Sequence, residues 1–121
     1  MSILLIADVQ AADLVTREQI LAENNLVGEL DLNSDSKLDL IVSSKSASTP
    51  YGEFVVSAYV NDDGKRYSTA LEGTYSIGGV VDFRYDWRVG SYGLVTYIRN
   101  GDKLEPTNWE YNKEEKKFLK K

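Results

Sequence analysis

Histidine and cysteine are absent from the 121 residues of this chain. Their absence excludes Ser-His-Asp and Cys-His catalysis, zinc sites built from thiolate or imidazole ligands, and disulfide bonds. No stretch approaches the roughly 20 apolar residues that a membrane-spanning helix needs, and the glycines lack the spacings of phosphate-binding loops. We therefore expect a non-enzymatic protein without a membrane span.

The charge is acidic overall and unevenly distributed. Residues 1–63 carry 11 acidic and 3 basic side chains, whereas residues 64–121 carry 8 acidic and 11 basic ones. A nucleic-acid-binding protein normally has an overall basic balance, so we expect no nucleic-acid partner. The acidic first half is typical of a soluble protein and also suits a basic protein partner.

The first eleven residues resemble the end of a signal peptide. Residues 3–7 match the end of its apolar segment, and Val9 and Ala11 are small residues at the third and first positions before a cleavage site at Ala12. We therefore expect a periplasmic protein in which residues 12–121 form a single β-rich domain. The alternative is that residues 3–6 form an N-terminal strand. A cysteine-free protein is compatible with the periplasm, where disulfides are permitted but not required.

One helix is well indicated near the start of the chain. Thr16 and Gln19 form a capping box, in which the first residue of the motif precedes the helix. Val15 and Ile20 are placed to pack against each other across this cap, and Asn24 suits the helix end.

The rest of the chain has the patterns of β-strands. Alternating or apolar runs separated by turn residues predict strands over residues 38–44, 53–60, 66–71, 81–89, 94–99, 103–111 and 116–119. We therefore expect an α+β, mainly β fold: a single antiparallel meander sheet of five to seven strands with one N-terminal helix. The clearest alternation, over residues 81–89, assigns Phe83, Tyr85 and Trp87 to the core.

Oxygen-bearing side chains recur at alternate positions over residues 31–39, as a hard cation requires. The candidate metal ligands are Asp31, Asn33, Asp35 and Asp39. This segment resembles the calcium loops of integrin-type propeller repeats, D-x-[DN]-x-D-G-x-x-D before a buried strand, and the resemblance implies Ca²⁺ as a cofactor. Ser34 and Ser36 stand where that pattern prefers glycine, and a single copy excludes a propeller. The alternative is an Asp/Asn turn that caps itself through side-chain-to-backbone hydrogen bonds.

Aromatic residues beside glycine-containing turns indicate a surface that a protein partner can bury. Tyr92 lies within the sequence Gly-Ser-Tyr-Gly, and Tyr75 lies between Gly73 and Gly78. The charged positions of residues 81–89 add a polar rim. The candidate partner-binding residues are Tyr92, Gly90, Ser91, Gly93, Tyr75, Arg84, Asp86 and Arg88.

The whole profile resembles the small periplasmic immunity proteins that protect type VI-secreting bacteria from their own peptidoglycan-degrading effectors. The resemblance rests on the apolar N-terminal segment, the cysteine-free β-rich domain and the acidic front half. It implies a non-enzymatic inhibitor that blocks the active-site cleft of a secreted cell-wall hydrolase with residues 89–93, Tyr92 entering the cleft. It also implies a homodimer as one assembly, and open sheet edges allow such pairing.

Three other functions fit the same residues. The first is an inhibitor of host lysozyme, which differs only in its target. The second is a calcium-dependent extracytoplasmic binding module built on Asp31, Asn33, Asp35 and Asp39. The third is a small glycan hydrolase or carbohydrate-binding domain that uses exposed aromatic side chains.

Overall fold

The computed structural model describes residues 14–121, so the signal-peptide segment expected over residues 1–11 lies outside the described part. Within that part, the elements in chain order are β1 (Val15–Thr16), α1 (Arg17–Glu23), β2 (Asn24–Leu30), β3 (Asp39–Ser44), β4 (Glu53–Asn61), β5 (Arg66–Ile77), β6 (Asp82–Asp86), β7 (Ser91–Asn100), β8 (Lys103–Asn112) and β9 (Lys117–Lys120). The mainly β class with one short helix is confirmed. The described strands number nine, more than the expected five to seven.

The helix has the predicted start and end. The backbone N–H of Gln19 donates to Thr16 Oγ1 (3.2 Å), and the backbone N–H of Thr16 donates to Gln19 Oε1 (2.9 Å). These two bonds satisfy groups that an uncapped helix would leave without partners. At the other end, Asn24 has an extended backbone and its Nδ2 donates to the carbonyl of Ile20 (2.9 Å). Ile20, the buried residue of the helix, packs it onto the first sheet.

The strands form two antiparallel sheets instead of the expected single one. One sheet has the order β1-β5-β4-β3-β2, and the other is the meander β6-β7-β8-β9. The break follows β5, where Gly78 and Gly79 both have a left-handed backbone (φ 63° and 70°). That conformation is open to glycine at little steric cost, and it turns the chain out of the first sheet before β6 begins.

Both sheets contribute to one apolar core. Its buried members come from β3, β4 and β5 of the first sheet and from β7, β8 and β9 of the second. Leu32, in the loop between β2 and β3, is completely buried in the same core. The two sheets are therefore packed against each other through side chains that neither sheet could bury alone.

The core assignment of residues 81–89 is wrong for two of its three aromatic residues. Phe83 packs against the core, but Tyr85 is 50% exposed and Trp87 is 80% exposed. The strand ends at Asp86, whose carbonyl accepts the N–H groups of Val89 (3.2 Å) and Gly90 (2.8 Å). These turn bonds interrupt the alternation, so Trp87 projects from a turn instead of continuing the strand.

Candidate functional site

The second sheet carries a groove beside the turn that joins β6 to β7. Its volume is about 540 Å³, within the range of ligand-binding clefts. It is lined by residues 84–89, by residues 91–95 of β7, by residues 108–110 of β8 and by Lys121. We refer to this feature as the groove, and to residues 87–90 as the tip.

The floor of the groove is formed by alternate residues of the central strand β7. Ser91 and Val95 are buried, and Gly93 between them has no side chain. Gly93 lies opposite Arg84 on one neighbouring strand and opposite Glu110 on the other. A Cβ atom at Gly93 would lie 3.3 Å from the carbonyl oxygen of Trp109, closer than most side chains allow. Because Gly93 has no side chain, the groove remains open between Arg84 and Glu110.

The tip is held by local hydrogen bonds that leave the Trp87 side chain free. Besides the two turn bonds to the carbonyl of Asp86, the backbone N–H of Arg88 donates to Asp86 Oδ1 (3.0 Å). Gly90 supplies the left-handed backbone (φ 72°) that returns the chain to β7. An exposed indole thus stands on a backbone that is already ordered.

Acidic and basic groups alternate around the groove. Arg88 Nε lies 3.4 Å from Asp86 Oδ1, and hydrogen bonds from the side chain and backbone of Arg88 hold the pKa of the Asp86 carboxyl below its usual value. Arg84 and Lys121 take part in none of the ion pairs formed within residues 14–121. The groove therefore contains the Asp86–Arg88 pair together with Arg84, Lys121 and Glu110, which form no ion pair within residues 14–121.

The structure brings most of the predicted partner-binding residues together. Arg84, Asp86, Arg88, Ser91, Tyr92 and Gly93 line the groove, and Gly90 ends the tip. Tyr75 does not join them: it lies in β5 of the other sheet, opposite Val55, and is 48% exposed. The predicted turn around Tyr75 is part of that long strand.

Tyr92 lies in strand β7 and not on a projecting loop. It is partly buried against the core, and its ring meets the ring of Tyr85 edge-on at 5.1 Å. The aromatic group that projects is Trp87, which the sequence pattern assigned to the core. The dipeptide Asp86-Trp87, followed by Gly90, was the available signal for a turn, because Asp and Gly are the residues that turns favour.

The second candidate site is the loop over residues 31–39. One carboxylate oxygen from each of Asp31, Asp35 and Asp39 lies within 4.8 Å of the other two. Asp39 is completely buried and accepts the backbone N–H groups of Leu32 (2.8 Å) and Asn61 (2.8 Å). Burial, with smaller contributions from the charges of Asp35 and Asp31, raises the pKa of Asp39 to about 6 against the opposing effect of these two hydrogen bonds.

The rest of this loop is closed by side-chain-to-backbone hydrogen bonds. Asp31 accepts the N–H groups of Asp35 (3.1 Å) and Ser36 (2.8 Å), and Asp35 accepts that of Lys37 (3.0 Å). Ser34 and Ser36 both have a left-handed backbone, with φ of 60° and 70°. Both serines thus adopt a backbone that favours glycine, and Ser36 does so at the glycine position of the pattern D-x-[DN]-x-D-G-x-x-D.

The Asn33 amide lies between the Tyr111 hydroxyl (3.3 Å) and the carboxylates of Asp31 (3.1 Å) and Asp35 (3.0 Å). Both amide atoms have suitable partners when Nδ2 donates to the two carboxylates. A cation ligand would instead turn the amide oxygen towards them. The four predicted ligands are thus brought together, in a loop that also closes through its own hydrogen bonds.

No family model, curated protein or solved structure matches this chain. In the part that the structure describes, no helix is long and apolar enough to cross a membrane.

Proposed function

We propose that this protein is a non-enzymatic periplasmic inhibitor, an immunity protein that uses the tip and groove to block the active-site cleft of a peptidoglycan-degrading effector. The observation that carries the proposal is Trp87, an indole that is 80% exposed on an ordered turn. Trp, with Tyr and Arg, is enriched among binding hot spots, and Trp87 has the largest exposed fraction among the exposed large hydrophobic side chains of residues 14–121.

The tip suits insertion into a cleft because its backbone is fixed before binding. Asp86 accepts three hydrogen bonds from the backbone of residues 88–90. A preordered turn loses less conformational entropy on binding than a flexible loop does. Arg84 and Arg88 line the same groove as Trp87, and arginine is also enriched at protein interfaces.

We infer the class of target, a cell-wall hydrolase, from the sequence profile. We infer the binding surface from the groove and the tip. The test is capture of a partner from a lysate of the producing organism, followed by an assay of the captured protein on purified peptidoglycan. The proposal predicts one stoichiometric hydrolase whose activity falls when the inhibitor is added back. Capture of no hydrolase, or of one that stays fully active in the complex, would contradict it.

Matched variants connect this result to the tip. Trp87→Ala should lose the hydrolase, whereas Tyr51→Ala should retain it, because Tyr51 is also an exposed aromatic residue (69%) but lies in the turn before β4. A panel of host-type lysozymes separates an immunity protein from an inhibitor of host lysozyme, since the latter should inhibit members of that panel.

A calcium-dependent extracytoplasmic binding module is the second candidate. The observation that favours it is the approach of three carboxylates within 4.8 Å around the buried Asp39. Burial and the charges of Asp35 and Asp31 raise the pKa of Asp39, and a divalent cation would offset both effects. Oxygens of Asp31, Asn33, Asp35 and Asp39 are of the ligand type that Ca²⁺ prefers.

Thermal unfolding with Ca²⁺ and with chelator tests this second candidate. A ligand that binds only the folded state raises the melting temperature with its concentration. Asp35→Asn, at an exposed position of the loop, should abolish the increase, whereas Asp63→Asn in the turn before β5 should preserve it. A melting temperature that is the same with Ca²⁺ and with chelator would remove this candidate.

A further inference from the structure

The second sheet has the opposite charge to the rest of the chain. Residues 82–121 contain nine Lys and Arg against seven Asp and Glu, a net charge of +2, whereas residues 1–81 contain five against twelve, a net charge of −7. The groove lies within the positive part. A long-range field of this kind orients a partner of opposite charge before contact.

The unpaired cations of the groove stand on two of its walls. Arg84 lies on the edge strand β6, across from Gly93 of the floor. Lys121 lies beyond β9, where its backbone N–H donates to the carbonyl of Asn108 (2.9 Å) and so continues the pairing with β8. Both residues are exposed, and both line the groove.

The acidic residues that line the groove do not fully neutralise its basic side chains. Asp86 forms an ion pair with Arg88, and the positive charge of Lys121 makes a smaller contribution to the lowered pKa of Asp86 without an ion pair between the two side chains. Glu110 takes part in none of the ion pairs within residues 14–121, and the charged side chains that line the groove, three cationic and two anionic, sum to +1. A guanidinium binds a carboxylate through two parallel hydrogen bonds, which gives Arg84 the geometry to fix an acidic side chain.

From this arrangement we infer that the groove receives an acidic segment of the partner protein, whose carboxylates pair with Arg84 and Lys121 beneath the Trp87 indole. The inference rests on the proposed function, because it names the chemistry of the surface that the tip meets. Charge complementarity of this kind speeds association and selects among partners. The net negative charge of residues 1–81 repels an acidic partner and so favours binding at the groove.

Poly-L-glutamate is a probe for this inference that does not require the natural partner. The variant Trp109→Phe leaves Trp87 as the single tryptophan of a chain that has two. Poly-L-glutamate at low salt should change the fluorescence of Trp87, and poly-L-lysine should not. If Trp109→Phe does not fold, the amide NMR shifts of residues 91–95 in the unmodified chain give the same readout.

Two charge reversals make the result specific to the groove. Arg84→Glu should weaken poly-L-glutamate binding at least tenfold. Arg99→Glu should change it less than twofold, because Arg99 is an exposed arginine six residues from Gly93 along β7, about 20 Å away. No binding at low salt, equal loss in both variants, or an equal change of Trp87 fluorescence with poly-L-lysine would overturn the inference.

Failure of the acidic-segment inference and failure of the proposed inhibitor function give different results. Binding of poly-L-glutamate that depends on Arg84, without inhibition of any hydrolase, would support an acidic partner and contradict the inhibitor. A captured hydrolase that is inhibited equally well by the Arg84→Glu variant would support the inhibitor and overturn the acidic segment.

Discussion

The backbone carbonyl of Leu32 accepts the N–H of Tyr92 at 2.8 Å, and this bond joins the acidic loop to the strand that forms the floor of the groove. The N–H of the same Leu32 donates to Asp39 Oδ2, also at 2.8 Å. The Leu32 side chain is meanwhile buried in the core that both sheets share. One residue thus connects the two candidate sites through its backbone and the two sheets through its side chain.

Leu32→Ala should destabilise the protein by about 2–5 kcal/mol, because it leaves a cavity where a completely buried leucine packed. Urea unfolding monitored by circular dichroism measures the change. Leu38→Ala is the control, since Leu38 lies in the same loop but is 54% exposed and should cost less than 1 kcal/mol. Similar losses for both variants would contradict the role of Leu32 at the junction of the sheets.

Stability should rise as the pH falls from about 6 to about 4 in the presence of chelator. The pKa of Asp39 is about 6 in the folded protein and 3.8 in the usual reference state, so the folded state binds more protons in this range. The contribution of Asp39 is therefore fully present below pH 3.8 and is lost as the pH rises through 6, by up to about 3 kcal/mol.

Urea unfolding at several pH values measures this effect, and Asp39→Asn should remove the dependence between pH 6 and 4. Asp63 does not obscure it. Hydrogen bonds from the backbone of Lys65 and Arg66 lower the pKa of Asp63 to about 2, so its contribution is lost only as the pH falls below about 4. If the free energy of unfolding of the unmodified chain did not change between pH 6 and 4, the pKa of Asp39 would not be raised in the folded state, and this prediction would be contradicted.

Ser36→Gly should stabilise the protein by about 0.5–1 kcal/mol. Ser36 has φ of 70°, a left-handed backbone that costs a non-glycine residue about 1–2 kcal/mol. The greater freedom of glycine in the unfolded chain offsets part of this gain. Ser46→Gly, at an exposed serine of the next loop without positive φ, should give no gain. Thermal unfolding of the two variants distinguishes relief of backbone strain from a general effect of glycine.

Local patterns predicted the parts of the fold that local interactions determine. The helix bounds follow from Thr16 and Gln19, whose capping bonds involve neighbouring residues only. The approach of Asp31, Asp35 and Asp39 likewise follows from their spacing in one short loop. Most strands also lie close to their predicted positions, because alternation and turn residues are local patterns as well.

Features that depend on distant contacts or irregular backbone could not be predicted in this way. Strand β2 has a register shift between Leu26 and Gly28, which interrupts the alternation by which strands are recognised. The division into two sheets depends on where β6 pairs, and periodicity carries no information about pairing. Trp87 continues the alternation of apolar residues in the sequence. In the structure, however, the turn between Asp86 and Gly90 ends the strand, so the Trp87 side chain lies outside the core.

The affinity of the captured hydrolase for Trp87→Ala, relative to the unmodified chain, tests the central claim most directly. Isothermal titration should give an affinity at least 30-fold lower for this variant, a loss of about 2 kcal/mol, as expected when a hot-spot indole is removed. Unfolding of Trp87→Ala should be unchanged because the side chain is 80% exposed, and Tyr51→Ala should bind as the unmodified chain does. Equal affinity of Trp87→Ala and the unmodified chain would contradict the claim that this protein acts through the tip of the β6–β7 hairpin.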